Sequence, residues 1–465
     1  MRIAQASVAF VLCLLASSLP SRAQTPAPAQ TPTPAETTPP SGSTQTPATA
    51  ANVVGRALSL EEAIGIALET QPRIQSRLFD YLAAAHRVDQ AFSTLLPQIT
   101  ASASASRSQN VSVTPRPPTD PRAPSSRTSA KITGFPESFT TGITLSQVIF
   151  DFGKTFASTD AARRLAEQAQ ESVELQRQLI TQTVKESFIN INFARRLIRV
   201  QEQALERADL NLKSARGFFE VGTRPKSDVA RAEVDVANAR VDLIKARNAE
   251  RLARVQLNTA MGIAADTPTE VQDNLVFQPM AIDRAQLRSQ ALAQRPEYKQ
   301  AQLKVEENEA RVRKAFRDFF PDISATGTYG STRTDFNEAW AIGLQLQWSI
   351  FDGGNRIARV REAKANLDSA VATVKATELD IASEVEQAQL SVTEAQERIG
   401  AAQTAVASAQ ENFRLAQGRF DAGVGTILEL TDAQLFLTQA QNTEAQALAD
   451  YRIFLARLER AIGRR

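Results

Sequence analysis

From Trp340 to Ile350 the chain alternates Trp340, Ile342, Leu344, Leu346, Trp348 and Ile350 with Ala341, Gly343, Gln345, Gln347 and Ser349. A period of two puts each set on one face of a β-strand. Ile99, Ala101, Ala103 and Ala105 alternate in the same way with Thr100, Ser102, Ser104 and Ser106. After Trp340–Ile350 comes Phe351-Asp352-Gly353-Gly354, and then residues 355–417, with no proline and a single glycine. At 1.5 Å per residue this stretch predicts a helix roughly 90 Å long, more than most globular domains can use.

The pattern occurs twice. "LLPQITASASAS" (Leu95–Ser106) returns as "FFPDISATGTYG" (Phe319–Gly330), and "GITLSQVIFDFG" (Gly142–Gly153) as "GLQLQWSIFDGG" (Gly343–Gly354). "ARGFFEVG", ending at Gly222, returns as "AQGRFDAG", ending at Gly423, and "LNTAMG" at Gly262 returns as "LERAIG" at Gly463. The last three pairs share an offset of 201 residues, so 72 residues separate Phe150 from Gly222 and Phe351 from Gly423. Equal lengths across weakly similar sequence point to a geometric constraint. Between Pro97 and Phe150 the first half is 23 residues longer, and the excess falls in an Arg/Pro/Ser-rich run that reads as a surface loop.

Each half therefore predicts a helix opening at a capping box (Ser59 with Glu62, Asp283 with Gln286) and ending before Pro97 or Pro321. Two strands follow, about 98–110 and 139–150 in the first half, about 322–334 and 340–351 in the second. Then come a long helix (about 155–216, about 355–417), a glycine turn and a shorter helix (about 226–262, about 427–463). In the shorter helices Val229, Ala232, Val236, Ala239, Leu243 and Ala246, and likewise Leu430, Ala433, Leu437, Ala440, Ala447, Tyr451 and Leu458, keep a spacing of three and four. Large and small residues on such a seam let antiparallel helices mesh. The expected segments are 1–23, 24–52, a first repeat at 53–275 and a second at 276–465.

Segment 1–23 reads as a signal peptide: Arg2, an apolar core from Val8 to Ala16, and Ser21-Arg22-Ala23 before Gln24. Segment 24–52 is Pro, Thr, Ala, Gln and Ser with little charge, the composition of a disordered linker. The single cysteine, Cys13, lies in the predicted signal peptide, leaving no thiolate for catalysis or metal. One histidine, His86, on an Ala-rich helix reads as a surface or packing residue, so we expect no catalytic residue, no metal site and no cofactor. A formal net charge of +2, spread along the chain, gives no nucleic-acid surface.

No apolar run outside the leader reaches the ~20 residues of a membrane-spanning helix, so any crossing must use strands. Strands polar on one face and apolar on the other have the length of outer-membrane barrel strands, and Trp340, Trp348 and Tyr329, with Phe139, Phe150 and Phe351, suit interfacial girdles. An ordinary sandwich core fits the same alternation. Four strands cannot close a barrel, whereas three chains would supply twelve.

The doubled order of elements resembles the TolC and OprM family of outer-membrane efflux proteins over about Leu58–Gly463, with the strand-to-helix steps Phe150-Asp151-x-Gly153 and Phe351-Asp352-x-Gly354 and the Phe-x-x-Gly hairpins at Phe219 and Phe420. The resemblance implies a mainly α fold with a membrane β-barrel: a homotrimer whose twelve-stranded barrel continues into the periplasm as a helical barrel. It implies residence in the outer membrane of a Gram-negative bacterium, contact with outer-membrane lipid, and partners in a periplasmic adaptor and an inner-membrane transporter of RND or ABC type. The implied function is an exit duct for tripartite efflux or type I secretion, passive, with energy from the inner-membrane partners.

By position, the resemblance makes Phe219, Val221, Gly222, Thr223, Phe420, Ala422, Gly423 and Val424 the adaptor-docking tips. It makes Glu429 and Asp432 acidic constriction residues and Asp228 one half of a lock, whose cationic partner falls at Gly425, where this chain has none. Local chemistry offers another account: Thr426-x-x-Glu429 is a capping box, and Asp228 lies where a helix dipole favours an acid. A periplasmic coiled-coil adaptor or structural protein is the competing class; it predicts one hairpin with small flanking β domains, and this chain has two hairpins.

Overall fold

The computed structural model describes residues 56–107, 111–115, 128–132, 137–273, 275–277, 279, 284–332 and 337–464. The expected signal peptide, the expected linker, most of the Arg/Pro/Ser-rich run and Asp283 lie outside them. Strand β1 (Ala57–Leu58) leads to helices α1 (Leu60–Thr70) and α2 (Pro72–Ser93), then to strands β2 (Gln98–Arg107), β3 (Val111–Pro115), β4 (Thr128–Ile132) and β5 (Glu137–Phe150). Helices α3 (Lys154–Glu220) and α4 (Lys226–Met261) form the first hairpin, followed by β6 (Glu270–Val271). Helices α5 (Arg284–Gln294) and α6 (Pro296–Arg317), strands β7 (Asp322–Thr332) and β8 (Asn337–Gln347), and the hairpin α7 (Asn355–Asp421) and α8 (Ile427–Ala461) complete the chain.

Ser59 opens α1 as expected: its hydroxyl accepts from the Glu62 backbone N–H at 3.2 Å while its own N–H donates to the Glu62 carboxylate at 2.9 Å. The first helix of each half does not run unbroken to its proline before the strands. It breaks at Gln71 and at Arg295, whose ψ angles of 116° and 126° are extended. Pro72 and Pro296 follow them, and a proline ring pushes the preceding residue out of the helical region. The breaks are put to use. Gln71 donates to the carbonyls of Thr259 and Ala260 at the end of α4. Arg295 ties Glu297 at 2.8 Å and Glu384 at 2.5 Å. Gly262 and Gly463 press on these breaks so closely that a Cβ would lie 2.9 Å from Gln71 Cα or Gln294 C, which accounts for the glycine that ends each closing helix.

The two long helices, α3 and α7, each have 67 residues, roughly 100 Å. Each starts at a left-handed glycine, Gly153 (φ 81°) or Gly354 (φ 85°). The preceding aspartate stands in for a cap. Asp151 accepts from the N–H groups of Gly153 and Thr155 at 2.9 and 2.7 Å, and Asp352 from those of Gly354 and Arg356 at 3.2 and 3.1 Å. Between Asp151 and Gly153, Phe152 sits at φ 53°, where its counterpart is Gly353. A bulky residue there is strained, and Phe152 offsets the cost by stacking on Phe320 at 5.1 Å and meeting Phe150 edge-on at 4.7 Å.

Two apolar cores hold the helices. One gathers Ala63, Ile180, Val184, Phe188, Leu257 and Met261; the other gathers Ile381, Val385, Val392, Ile399, Tyr451 and Leu458. The seam of small and large residues on α4 and α8 is largely buried, and the one charge that interrupts it, Glu250, is buried against Arg254 at 2.6 Å. Glu307 of α6 is fully buried as well. Burial pushes its carboxyl up, but Lys304 at 2.7 Å and Arg311 outweigh this and hold it below the ordinary range. Helix α3 packs against α1, α2, α4, α6 and α8, whereas α7 packs against α5, α6 and α8.

The long strands make one antiparallel sheet in the order β2-β5-β7-β8, with a bulge between Val148 and Phe150. Register places Ile99 beside Leu145, Ile143 beside Tyr329, Tyr329 beside Trp340, and Ala325 beside Leu344, all on one face. The other face carries Thr100, Ser102, Thr144, Ser146, Thr326, Thr328 and Gln345. The alternation of Trp340 to Ile350 outlasts its strand. Pairing ends at Asp322 with Gln347, because Pro321 has no N–H to carry β7 further.

Candidate functional site

Three regions hold the residues that the sequence singles out. The first is the sheet. Among the described residues nothing covers its apolar face: Trp340 is 71% exposed, Ile342 82% and Leu344 78%. Edges β2 and β8 pair with no strand on their outer sides among the described residues. Tyr329 and Trp340 lie near one end of the strands. Trp348 lies beyond the other end, its indole N–H donating to the Phe319 carbonyl at 3.0 Å, close to the Phe150, Phe152 and Phe320 cluster. Eight residues separate Trp340 from Trp348, roughly 25 Å along a strand, comparable to the apolar band of an outer-membrane barrel. Sandwich packing would require a second layer on this face, and the chain supplies none among its described residues.

The second region is the junction beneath the sheet, where the halves interlock. Lys154 reaches the Asp322 carboxylate at 2.7 Å and the Phe320 carbonyl at 2.8 Å, and Arg317 donates to the Gly153 carbonyl at 2.6 Å. Arg356 pairs with Asp352 at 2.9 Å. Phe351 stays 87% exposed.

The third region is the pair of hairpin tips. In both, the glycine takes a left-handed conformation (Gly222 φ 74°, Gly423 φ 78°) and closes the helix by two backbone bonds. Gly222 and Thr223 donate to Phe219 and Phe218, and Gly423 and Val424 to Phe420 and Arg419. A side chain would strain this Schellman turn even though open space surrounds it. Val221 and Val424, each 72% exposed, and Phe219, at 42%, project from the tips, and Ala422 is exposed. The Thr223 hydroxyl is engaged with the Phe218 carbonyl at 2.9 Å. Phe420 departs from expectation: it is fully buried, packed against Ile427, Leu430 and Phe218, and so cannot belong to an exposed tip surface. Its repeat counterpart Phe219 stays outside because the neighbouring Phe218 takes the inward position.

The acids fall in three different settings. Asp228 is largely enclosed, with Arg224 at 3.6 Å. Thr426 caps α8, its hydroxyl accepting from the Glu429 N–H at 3.2 Å, but the expected capping box is only half formed: the Glu429 carboxylate turns away from the Thr426 N–H and lies 3.8 Å from Arg419. Asp432 is exposed and shares the uncovered face of α8 with Leu428, Leu435 and Phe436. His86 is exposed beside Asp89.

Sequence reasoning missed Arg224. Its guanidinium crosses from the first hairpin to the second, donating to the Gly425 carbonyl at 2.5 Å and lying 4.4 Å over the Phe420 ring. It also missed a polar seam behind this contact, in which Thr431 donates to Asp235 at 2.9 Å, Asn211 to Gln434 at 2.8 Å and Gln434 to the Ala204 carbonyl at 3.1 Å. Farther along, Arg207 approaches Thr438 and Gln441 at 3.5 Å, and burial pulls its guanidinium below the usual arginine range despite the neighbouring Glu206. The signal for Arg224 was present, since the internal offset makes position 224 the counterpart of 425. Among the described residues no helix is long and apolar enough to cross a membrane, and no group of three or more His, Cys, Asp or Glu side chains is placed to hold a metal ion.

Comparison with known proteins agrees with this architecture. The family model described as "Outer membrane efflux protein" matches residues 63–263 and 287–464. The probable efflux pump outer membrane protein TtgC of Pseudomonas putida is 25% identical over 388 residues, spanning 79% of this chain and 75% of that protein. The alkaline protease secretion protein AprF of Pseudomonas aeruginosa is 23% identical over 420 residues, 86% of this chain and 84% of its own length. Among solved structures, the outer membrane protein VceC of Vibrio cholerae superposes with a TM-score of 0.71 at 20% identity, covering 87% of this chain and 96% of that one.

Proposed function

The chain belongs to the outer membrane efflux protein family, and from that premise we propose that it is a trimeric exit duct through which inner-membrane machinery drives solutes out of the cell. Its place is the outer membrane. In this reading three open sheets close edge to edge into a twelve-stranded barrel, apolar outward and hydroxyl-lined within. The helical hairpins continue that barrel into the periplasm, and Tyr329, Trp340 and Trp348 sit at the lipid interfaces. The carrying observation is a sheet whose apolar face and both edges lack any cover among the described residues. In water such a face would cost about 25 cal/mol per Å², and unpaired edges invite further pairing; closure in lipid removes both. A periplasmic coiled-coil adaptor would have no use for this surface.

The tips, with Val221, Gly222, Thr223 and Phe219 on one hairpin and Ala422, Gly423 and Val424 on the other, are the proposed docking points for a periplasmic adaptor that couples the duct to an RND or ABC transporter. Transport is passive. The sheet's polar face is mostly Thr, Ser, Gln and Gly, and its acid Asp322 is paired with Lys154, so it exerts little selection by charge, and the transporter sets the cargo. Asp432 and Glu429 are the proposed constriction, where three copies around an axis would attract cations. Native mass spectrometry or cross-linking in detergent should give a trimer, and a stable monomer in the soluble fraction would sink the proposal. In planar bilayers Asp432→Ala with Glu429→Ala should raise single-channel conductance and weaken block by multivalent cations; unchanged values would remove the gate assignment alone.

A further inference from the structure

The two hairpin tips are related by the internal offset, yet the positions two residues past their glycines are unlike: Arg224 in one, Gly425 in the other. They are the two halves of a single contact. The fork of Arg224 donates to the Gly425 carbonyl at 2.5 Å and reaches the Phe420 carbonyl at 3.5 Å. Its other arm lies 3.6 Å from Asp228, and its plane covers the Phe420 ring at 4.4 Å. The Arg224 and Asp228 side chains are only 12% and 15% exposed, so little water can take over these bonds.

The acceptor is as specialised as the donor. A Cβ on residue 425 would stand 2.9 Å from the Phe420 nitrogen and 3.0 Å from the Arg419 carbonyl carbon. Both are backbone atoms, so any side chain there would have to distort the turn. This explains why no cation can occupy 425, and why the cation that grips this tip comes from the other hairpin.

We infer that Arg224 is a positioning residue for the second hairpin, a clasp that holds the tip of α8 against the first hairpin through a carbonyl only glycine can present. Where the hairpins form the periplasmic mouth of a duct, the clasp sets how far one tip can swing, and that consequence rests on the channel reading. Behind the clasp the hairpins meet through Thr431, Asp235, Asn211 and Gln434, groups that water satisfies readily once they part. Arg224 supplies the charge-assisted bond of this interface at its tip, and removing it exposes the seam from the end.

The test uses the full chain in detergent with Cys13→Ala, spin labels at Val221→Cys and Val424→Cys, and labelled chains diluted with unlabelled ones so that distances report one protomer. Parent protein should give one narrow distance distribution. Arg224→Ala and Gly425→Ala should each add a longer, broad component, with the clasped-to-unclasped ratio falling roughly 10- to 100-fold, as expected for loss of a hydrogen bond to a charged group. Arg224→Lys keeps the charge without the planar fork and should fall between. Thermal midpoints should stay within a few degrees of the parent, since both cores lie far from the tips; a collapsed midpoint together with a lost narrow component would assign Arg224 to folding and overturn the clasp. An Arg224→Ala distribution identical to the parent would also overturn it. If the distances shift while the parent gives no conductance in bilayers, the clasp stands and the channel reading falls.

Discussion

The two long helices have the same length and the same aspartate-glycine start, yet α3 buries about twice as many side chains as α7. Helix α3 runs through the middle of the chain's own packing, with neighbours on both sides. Helix α7 is covered on one flank, leaving Leu379 68% exposed, with Leu390 and Leu415 each more than half exposed. Two copies of one structural unit thus face different surroundings. The difference teaches that the second copy is an edge, left open by the described residues, and that is where the proposed trimer would supply its neighbours.

Substitutions can press on this comparison. Phe188→Ala, in the core of α3, should cost about 3–5 kcal/mol, read as loss of the cooperative transition in denaturant. Leu379→Ala on α7 should move the dissociated chain by less than about 0.5 kcal/mol while shifting the trimer-to-monomer balance in native mass spectra. Equal unfolding by both would erase the distinction between covered and edge helices.

The helix breaks give the next contrast. Arg295→Ala leaves Glu297 and Glu384 without their shared cation and should cost about 3 kcal/mol. Gln71→Ala at the equivalent break should cost about 1 kcal/mol, since neutral hydrogen bonds are lost. Thermal unfolding of the pair measures the ratio, and a reversed order would show that the first-half break is the tighter clamp.

Acid should divide the halves too. Burial pushes the Glu297 carboxyl up, but Arg295 and Arg460 outweigh it and hold it low; Glu307 is held low by Lys304 and Arg311. A depressed carboxyl stabilises fully above its unfolded value of about 4.3 and loses that contribution as pH falls through the lower folded value. The first-half counterparts are Arg73 and Ala83, which have no carboxyl to lose. Hydrogen exchange between pH 6 and 3 should therefore show α5 and α6 losing protection before α1 and α2; simultaneous loss would refute the assignment.

The smallest effect concerns the strand-to-helix steps. Asp151→Ala should cost about 1 kcal/mol, because Asp151 is buried, and Asp352→Ala should cost less because Asp352 is exposed. Thermal midpoints in the same detergent would rank them.

Much of the architecture was readable because it rests on periodicity. Alternation along Trp340–Gln347, the absence of proline from 355–417 and the repeated Phe-Asp-x-Gly step each fix a local conformation without help from distant residues, whereas the alternation from Trp348 to Ile350 does not hold a strand once Pro321 ends the pairing. The breaks at Gln71 and Arg295 were also present as prolines, but the continuing apolar pattern across them masked the interruption. Burial of Phe420 and the reach of Arg224 were not readable, because both depend on how one hairpin lies against the other. Periodicity says which face of a helix is apolar and leaves open which of two neighbouring phenylalanines, Phe218 or Phe219, turns inward.

The open edges of the sheet differ in a way that bears on how copies find one another. Strand β2 offers mostly alanine and serine, a ladder with little to tell one alignment from the next, whereas β8 carries Trp340, Ile342, Leu344 and Leu346. Their facing is set by the pairing of β8 with β7, so a partner strand slipped by one residue would present its opposite face beside them. If copies pair edge to edge as proposed, the choice of register falls to the tryptophan-bearing edge, and an edge left unpaired is a template for mispairing.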